Sequence, residues 1–127
     1  MIKELVDLQR NSKATCAVIP TIEFKKLSPA ITMKANVSDK FLFAGYKPPF
    51  AEKIDNKSKL SKICYFIITD IDELSIESQN RFVGLVKDRE MNGYNLPNNC
   101  IIVFTVKDNA SLKKMSPELY HFAVVAF

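Results

Sequence analysis

Glycine is scarce in this sequence: there are three in 127 residues, Gly45, Gly84 and Gly93, and no two are close together. A loop that wraps phosphates in backbone N–H groups needs clustered glycines and a lysine, as in GxxxxGK[ST]. No such stretch exists. "AGYKPPF" around Gly45 does not replace it, because its prolines carry no N–H. Cysteine is equally sparse. Cys16, Cys64 and Cys100 each lie inside an apolar run. An odd, widely spaced set without CxxC argues against a disulfide framework and a zinc site, and reads as buried thiols in a reducing cytoplasm. The single histidine, His121, lies near the far end, so the cysteines lack a plausible general base for covalent catalysis. No apolar run approaches the ~20 residues needed to cross a bilayer. Charged residues follow Met1 at once, so no secretory signal is read and a cytoplasmic protein without a membrane partner is expected.

What is present suits one globular α/β domain over residues 1–127: 47% hydrophobic and 25% charged residues, enough for a single core. The net charge is +4, with lysines at Lys25-Lys26, Lys53 to Lys62 and Lys107 to Lys114. Such clusters can neutralise nucleic-acid phosphates, and equally serve as solvated surface.

Apolar periodicity orders the chain. Ile2 to Arg10 reads as a helix with Ile2, Leu5 and Leu8 on one stripe. "ATCAVIP" (Ala14 to Pro20) reads as a buried strand stopped by proline. A short strand is placed near Ile31 to Lys34, with Ser38 or Asp39 capping a helical turn before Gly45. "GYKPPF" reads as a loop and "EKIDNKSKLSK" as a polar approach to the next element. "ICYFIITD" (Ile63 to Asp70) is continuously apolar, as in a parallel strand covered on both faces. Ser75 then caps a helix over Ile76 to Arg89. "NGYNLPNN" is a loop, Cys100 to Val106 a second buried strand, "NASLKKM" a helical turn, Ser116-Pro117 the start of a short helix, and "FAVVAF" a final strand. Buried strands alternating with helices imply a three-layer sandwich with a mostly parallel sheet, whose ligands bind beyond the strands' carboxyl ends. Asp70, Asp72 and Lys107 fall there.

A carboxylate at such a strand end can hold Mg²⁺, and a second can polarise a water. "TDIDE" alone is weak evidence, since acids after a strand also cap the next helix. The longer stretch from Ile63 to Phe122 resembles the AAA+ ATPases, especially the MoxR-like branch. There a Walker B strand runs into "DEIDEL", followed by a helix with "Q-N", then "L-x-D-R-E", "L-P" and another apolar strand. Gln79-Asn80, Asp88-Arg89-Glu90, Leu96-Pro97 and Ile101 to Thr105 match in order. "SPELYHF" is similar to the segment leading to an arginine finger. Upstream, "MIKELVDLQRNSKATCAVI" looks like the helix and strand that follow a P-loop, and "FLFAGY" like the segment before Walker B. The resemblance implies a P-loop NTPase fold, truncated at the phosphate loop and before the helical lid.

What it implies about activity is negative. Thr69 and Asp70 fall where the Walker B acids belong, so Asp70 is the candidate catalytic residue and magnesium ligand of a degenerate site. Thr69, Asp72, Glu73, Lys107, Asn109 and His121 are the remaining cofactor-binding candidates. Lys107 or Asn109 stands in for the sensor asparagine, and His121 for the finger arginine, without its bidentate fork. ATP and Mg²⁺ are the cofactors of an intact site; with the phosphate loop gone, none is expected. The chain is therefore read as an inactive AAA+-like module for a protein partner, an AAA+ ring or a second copy of itself, with the basic segments and the "MNGYNLP" loop as exposed candidates; Tyr94 of that loop reads first as packing back on its own domain and second as an aromatic contact. Two alternatives stand beside it: a piece of an active ATPase with its P-loop upstream of Met1, and a nucleic-acid-binding module.

Overall fold

A computed structural model describes residues 15–38, 49–60, 62–91 and 93–127. The expected helix over 2–10 and the turn and "FLFAGY" segment between 39 and 46 lie outside those residues.

Five strands form one parallel sheet in the order β2-β3-β6-β1-β7. They are β1 (Cys16–Pro20), β2 (Ala30–Lys34), β3 (Cys64–Thr69), β6 (Cys100–Val106) and β7 (Ala123–Val125). A two-residue-per-strand antiparallel hairpin, β4 (Glu90–Met91) with β5 (Tyr94–Asn95), stands apart. β3 and the centre of β6 are buried along their length. Alternate residues therefore enter two cores. Val18, Phe66, Ile68, Ile102 and Phe104 pack on one face; Ala17, Ile19, Tyr65, Ile67 and Val103 pack on the other. This explains the continuous apolar runs, since a strand covered on both sides cannot alternate.

The first face carries four helices: α1 (Pro49–Ser58), α2 (Ile76–Gln79), α3 (Val83–Asp88) and α4 (Pro117–His121). Phe50, Ala51 and Ile54 bury α1, with Phe50 stacked on Phe66 at 5.2 Å. Of the loop expected over "GYKPPF", only Pro49 and Phe50 lie among the described residues, and both are helical. Pro49 is the first residue of α1, where a missing N–H is an orphan anyway. Of the polar approach expected after it, residues 52–58 are the rest of that helix. Ser75 does cap α2, its Oγ accepting from Ser78 N at 3.1 Å. The single helix expected over 76–89 is instead interrupted by a 3-10 turn at Asn80–Phe82.

The connections explain where a ligand site belongs. β2, β3, β6 and β7 follow one another in one direction across the sheet, and their connections lie on the helical face. The chain leaving β1 runs the other way, to β2. The right-handed crossover rule puts that connection on the opposite face, and its Phe24 and Leu27 do pack there. β1 and β6 are neighbours whose exits diverge, which opens a crevice at their carboxyl ends.

Candidate functional site

Three strand ends meet at this crevice: Thr21 after β1, Asp70 after β3, and Thr105 to Lys107 at the end of β6. They enclose an open cleft of about 740 Å³ lined by Thr21, Ile22, Asp70, Asp72, Glu73, Lys107 and Lys114. A smaller pocket of about 240 Å³ lies beside it against Lys34, Ala35, Asn36, Thr69, Asp70, Glu73 and Leu74.

Asp70 organises the cleft. Its φ of 60° puts it in the left-handed region, which aspartate tolerates better than most residues. This reverses the chain at the end of β3. The Asp70 N–H donates to Thr105 Oγ1 at 2.9 Å, while Thr21 Oγ1 donates to Asp70 Oδ1 at 3.2 Å. The two threonine oxygens are 3.0 Å apart. With the Thr21 proton on the carboxylate, the Thr105 hydroxyl accepts from Asp70 and donates to Thr21. The bonds close into a ring that ties the three central strands together, and each hydroxyl is used in both directions. Asp72 reaches across more loosely: Lys107 N–H donates to its Oδ2 at 3.4 Å, and its Oδ1 is buried without a partner.

The remaining candidates divide. Glu73 and Lys107 line the cleft, and Thr69 is buried behind it in the smaller pocket. Asn109 is exposed at the start of the 3-10 turn Asn109–Lys114 and does not line the cleft. His121 ends α4, edge-on to Phe122 at 5.1 Å, and lines two grooves beside that helix instead. Tyr94 packs back on its own domain, the first of its two readings. Its hydroxyl donates to Asp55 at 2.8 Å and its ring meets Phe50 edge-on, so the hairpin is packed onto α1. Burial, then Asp55, push the Tyr94 phenol well above its usual range. The sequence reading missed Thr21, Ile22, Thr105 and Lys114. Lone threonines carry no motif, and only the sheet order brings β1 to the site.

The resemblance implies Mg²⁺ and a nucleoside triphosphate, and these residues do not fit them. The turn at the crevice, Thr21–Lys26, is a glycine-free 3-10 helix entered from Pro20, with no cradle of N–H groups. Lys26 is turned onto Glu23 at 2.6 Å. The Asp70 carboxylate accepts from a neutral hydroxyl. Among the described residues no group of three histidine, cysteine or acidic side chains is arranged to hold a metal. The upstream strand also differs from expectation. β1 is not the strand beside β3, a position taken by β2, and its following turn faces Asp70 at the crevice.

No family model and no curated protein matches the chain. Among solved structures it is similar to a DNA polymerase III gamma subunit-related protein from Thermotoga maritima, with 15% identity and a TM-score of 0.47. The match covers 97% of this chain and 45% of that one, so the chain spans less than half of that protein's length. This likeness gives no support to the MoxR-like branch in particular. No helix among the described residues is long and apolar enough to cross a membrane.

Proposed function

We propose that this chain is an AAA+-like core that neither binds nor hydrolyses ATP and acts as a partner-binding or regulatory module. The observation carrying this reading is the closed Thr21–Asp70–Thr105 ring at the switch point. The carboxylate that would serve a metal instead braces three strands, and a glycine-free turn stands opposite it. Support for the AAA+-like part comes from the ordered motifs between Ile63 and Phe122 and from the parallel sheet that carries them. The partner is a protein that docks at the mouth of the crevice. Ile22 is 84% exposed there, in a cleft whose rim mixes the acids Asp70, Asp72 and Glu73 with Lys107 and Lys114, and an exposed aliphatic within such a rim suits a segment of mixed charge with an apolar anchor.

Titration calorimetry of the purified chain with ATP and Mg²⁺, beside an Asp70→Ala control, tests the first half. Absence of binding at high micromolar ligand is expected; saturable binding lost in the control overturns the reading. Affinity capture with the wild-type chain and with Ile22→Asp tests the second half. A captured protein that disappears with Ile22→Asp is expected. Capture of nucleic acid that weakens steeply with salt would replace the protein partner by a phosphate backbone.

A further inference from the structure

We propose that Cys64 and Cys100 are an oxidation site that closes to a reversible disulfide at the amino ends of β3 and β6. The two residues are Cα partners in the parallel ladder. Neighbouring strands lie about 4.8 Å apart, inside the 4.4–6.8 Å Cα range of disulfides. Both residues share the parity of Phe66 and Ile102, so both side chains face the helical side of the sheet. Both are buried, and each thiol is the largest influence on the other's proton affinity.

The surroundings make the pair unequal. The Cys100 thiol draws the Cys64 thiol below its usual range, against burial and with help from Lys57. Cys100 is driven the other way, first by the Cys64 thiol and then by burial. One thiol is thus poised to attack and its neighbour to resolve. Cys16 is an internal control. It is fully buried, its ladder partners are Ile102 and Ala123, its Sγ donates to Phe122 O at 3.6 Å, and burial pushes its thiol up to about 12.

The oxidant class is a peroxide. The Cys64 thiolate attacks one oxygen of hydrogen peroxide, the O–O bond breaks, and a sulfenic acid and water result once the leaving hydroxide takes a proton. The Cys100 sulfur then displaces hydroxide from the Cys64 sulfur, its own proton leaving in a second water. In sum, two thiols and one peroxide give one disulfide and two waters. A thiol reductant reverses the change.

The full-length chain is exposed to hydrogen peroxide, quenched, alkylated in denaturant, weighed intact and peptide-mapped without reduction. One alkyl group instead of three is expected, with a Cys64–Cys100 peptide, a raised melting temperature, and return to three groups after dithiothreitol. Three alkyl groups, or a bridge that includes Cys16, overturns the proposal. In Cys100→Ala, where no bridge can form, Cys64 is expected to be trapped as sulfenic acid by dimedone. Failure to trap it, in a variant whose circular dichroism is native, overturns the assignment of Cys64 as the attacking thiol.

Discussion

Two regions of this chain bear the likeness proposed above to very different degrees. Between Cys64 and Val106 the motif residues are present, and Gln79, Asn80 and Arg89 among them make structural hydrogen bonds. Gln79 is fully buried; its Nε2 donates to Leu74 O at 3.0 Å and to Lys114 O at 2.8 Å, and its Oε1 accepts from Ser116 N at 2.6 Å. Asn80 accepts from the Ser116 hydroxyl. Arg89 leaves α3 in a left-handed conformation and donates to Pro97 O at 2.9 Å and Cys100 O at 2.6 Å. Between Cys16 and Lys34 there is a strand, a 3-10 turn and another strand, with nothing of a phosphate loop. The difference separates two kinds of motif residue. Those that satisfy buried carbonyls and N–H groups are needed by any protein of this shape. Those that touch phosphate are needed only by one that uses it.

The sharpest way to break this comparison is Gln79→Ala. The variant leaves Leu74 O, Lys114 O and Ser116 N without their partner, at an expected cost of ~3 kcal/mol, a large share of a small domain's stability. Urea unfolding measures it. A cost under ~1 kcal/mol would mean that the retained motif is not what holds α2 to the start of α4. Arg89→Met follows, at ~2 kcal/mol, because two carbonyls lose a charged donor; hydrogen exchange should rise first in β4 and β5. An unchanged exchange pattern would detach Arg89 from the hairpin.

Thr21→Val addresses the other region. The substitution keeps shape, removes one hydroxyl, and leaves Asp70 Oδ1 and Thr105 without that partner. The expected cost is ~1 kcal/mol, with ATP binding still absent by calorimetry. Should freeing Asp70 create Mg²⁺-dependent nucleotide binding, the ring is a latch over a competent site and the contrast between the regions collapses.

The sequence made some of this legible and concealed the rest for physical reasons. β3 and β6 were readable because burial on both faces leaves an unbroken apolar run. Asp70, Asp72 and Lys107 were readable as site candidates because strand ends point at the ligand side of a parallel sheet. α1 was not, since Phe50, Ala51 and Ile54 are few among polar neighbours and Pro49 mimics a loop. The interruption of the helix at Asn80–Phe82 was hidden because Phe82, Leu85 and Val86 keep helical spacing across it. Thr21 and Thr105 were invisible for a different reason: they are 84 residues apart, and no local pattern says that β1 lies beside β6. Sheet order is a long-range property, and the site depends on it.

The smallest expected effect asks whether β1 contributes by burial alone. The Cys16 thiol is raised from 9.0 to about 12 by desolvation. Below pH 9 it is protonated in both folded and unfolded chains, so its contribution to stability is fully present. As pH rises from 9 towards 12, the unfolded chain releases the proton while the folded chain keeps it, and stability falls. The loss should be about 1.4 kcal/mol at pH 10. Burial also raises Tyr65 and Tyr94, so the wild-type slope contains their share in the same direction. Cys16→Ala isolates the strand's part: urea unfolding at pH 8 and pH 10 should show a smaller difference for the variant than for wild type. Equal differences would mean that water reaches the thiol in the folded chain. The amino end of β1, the end of the strand away from the crevice, would then be loosely packed against β7, and the contrast with the Gln79 side would be one of rigidity as well as chemistry.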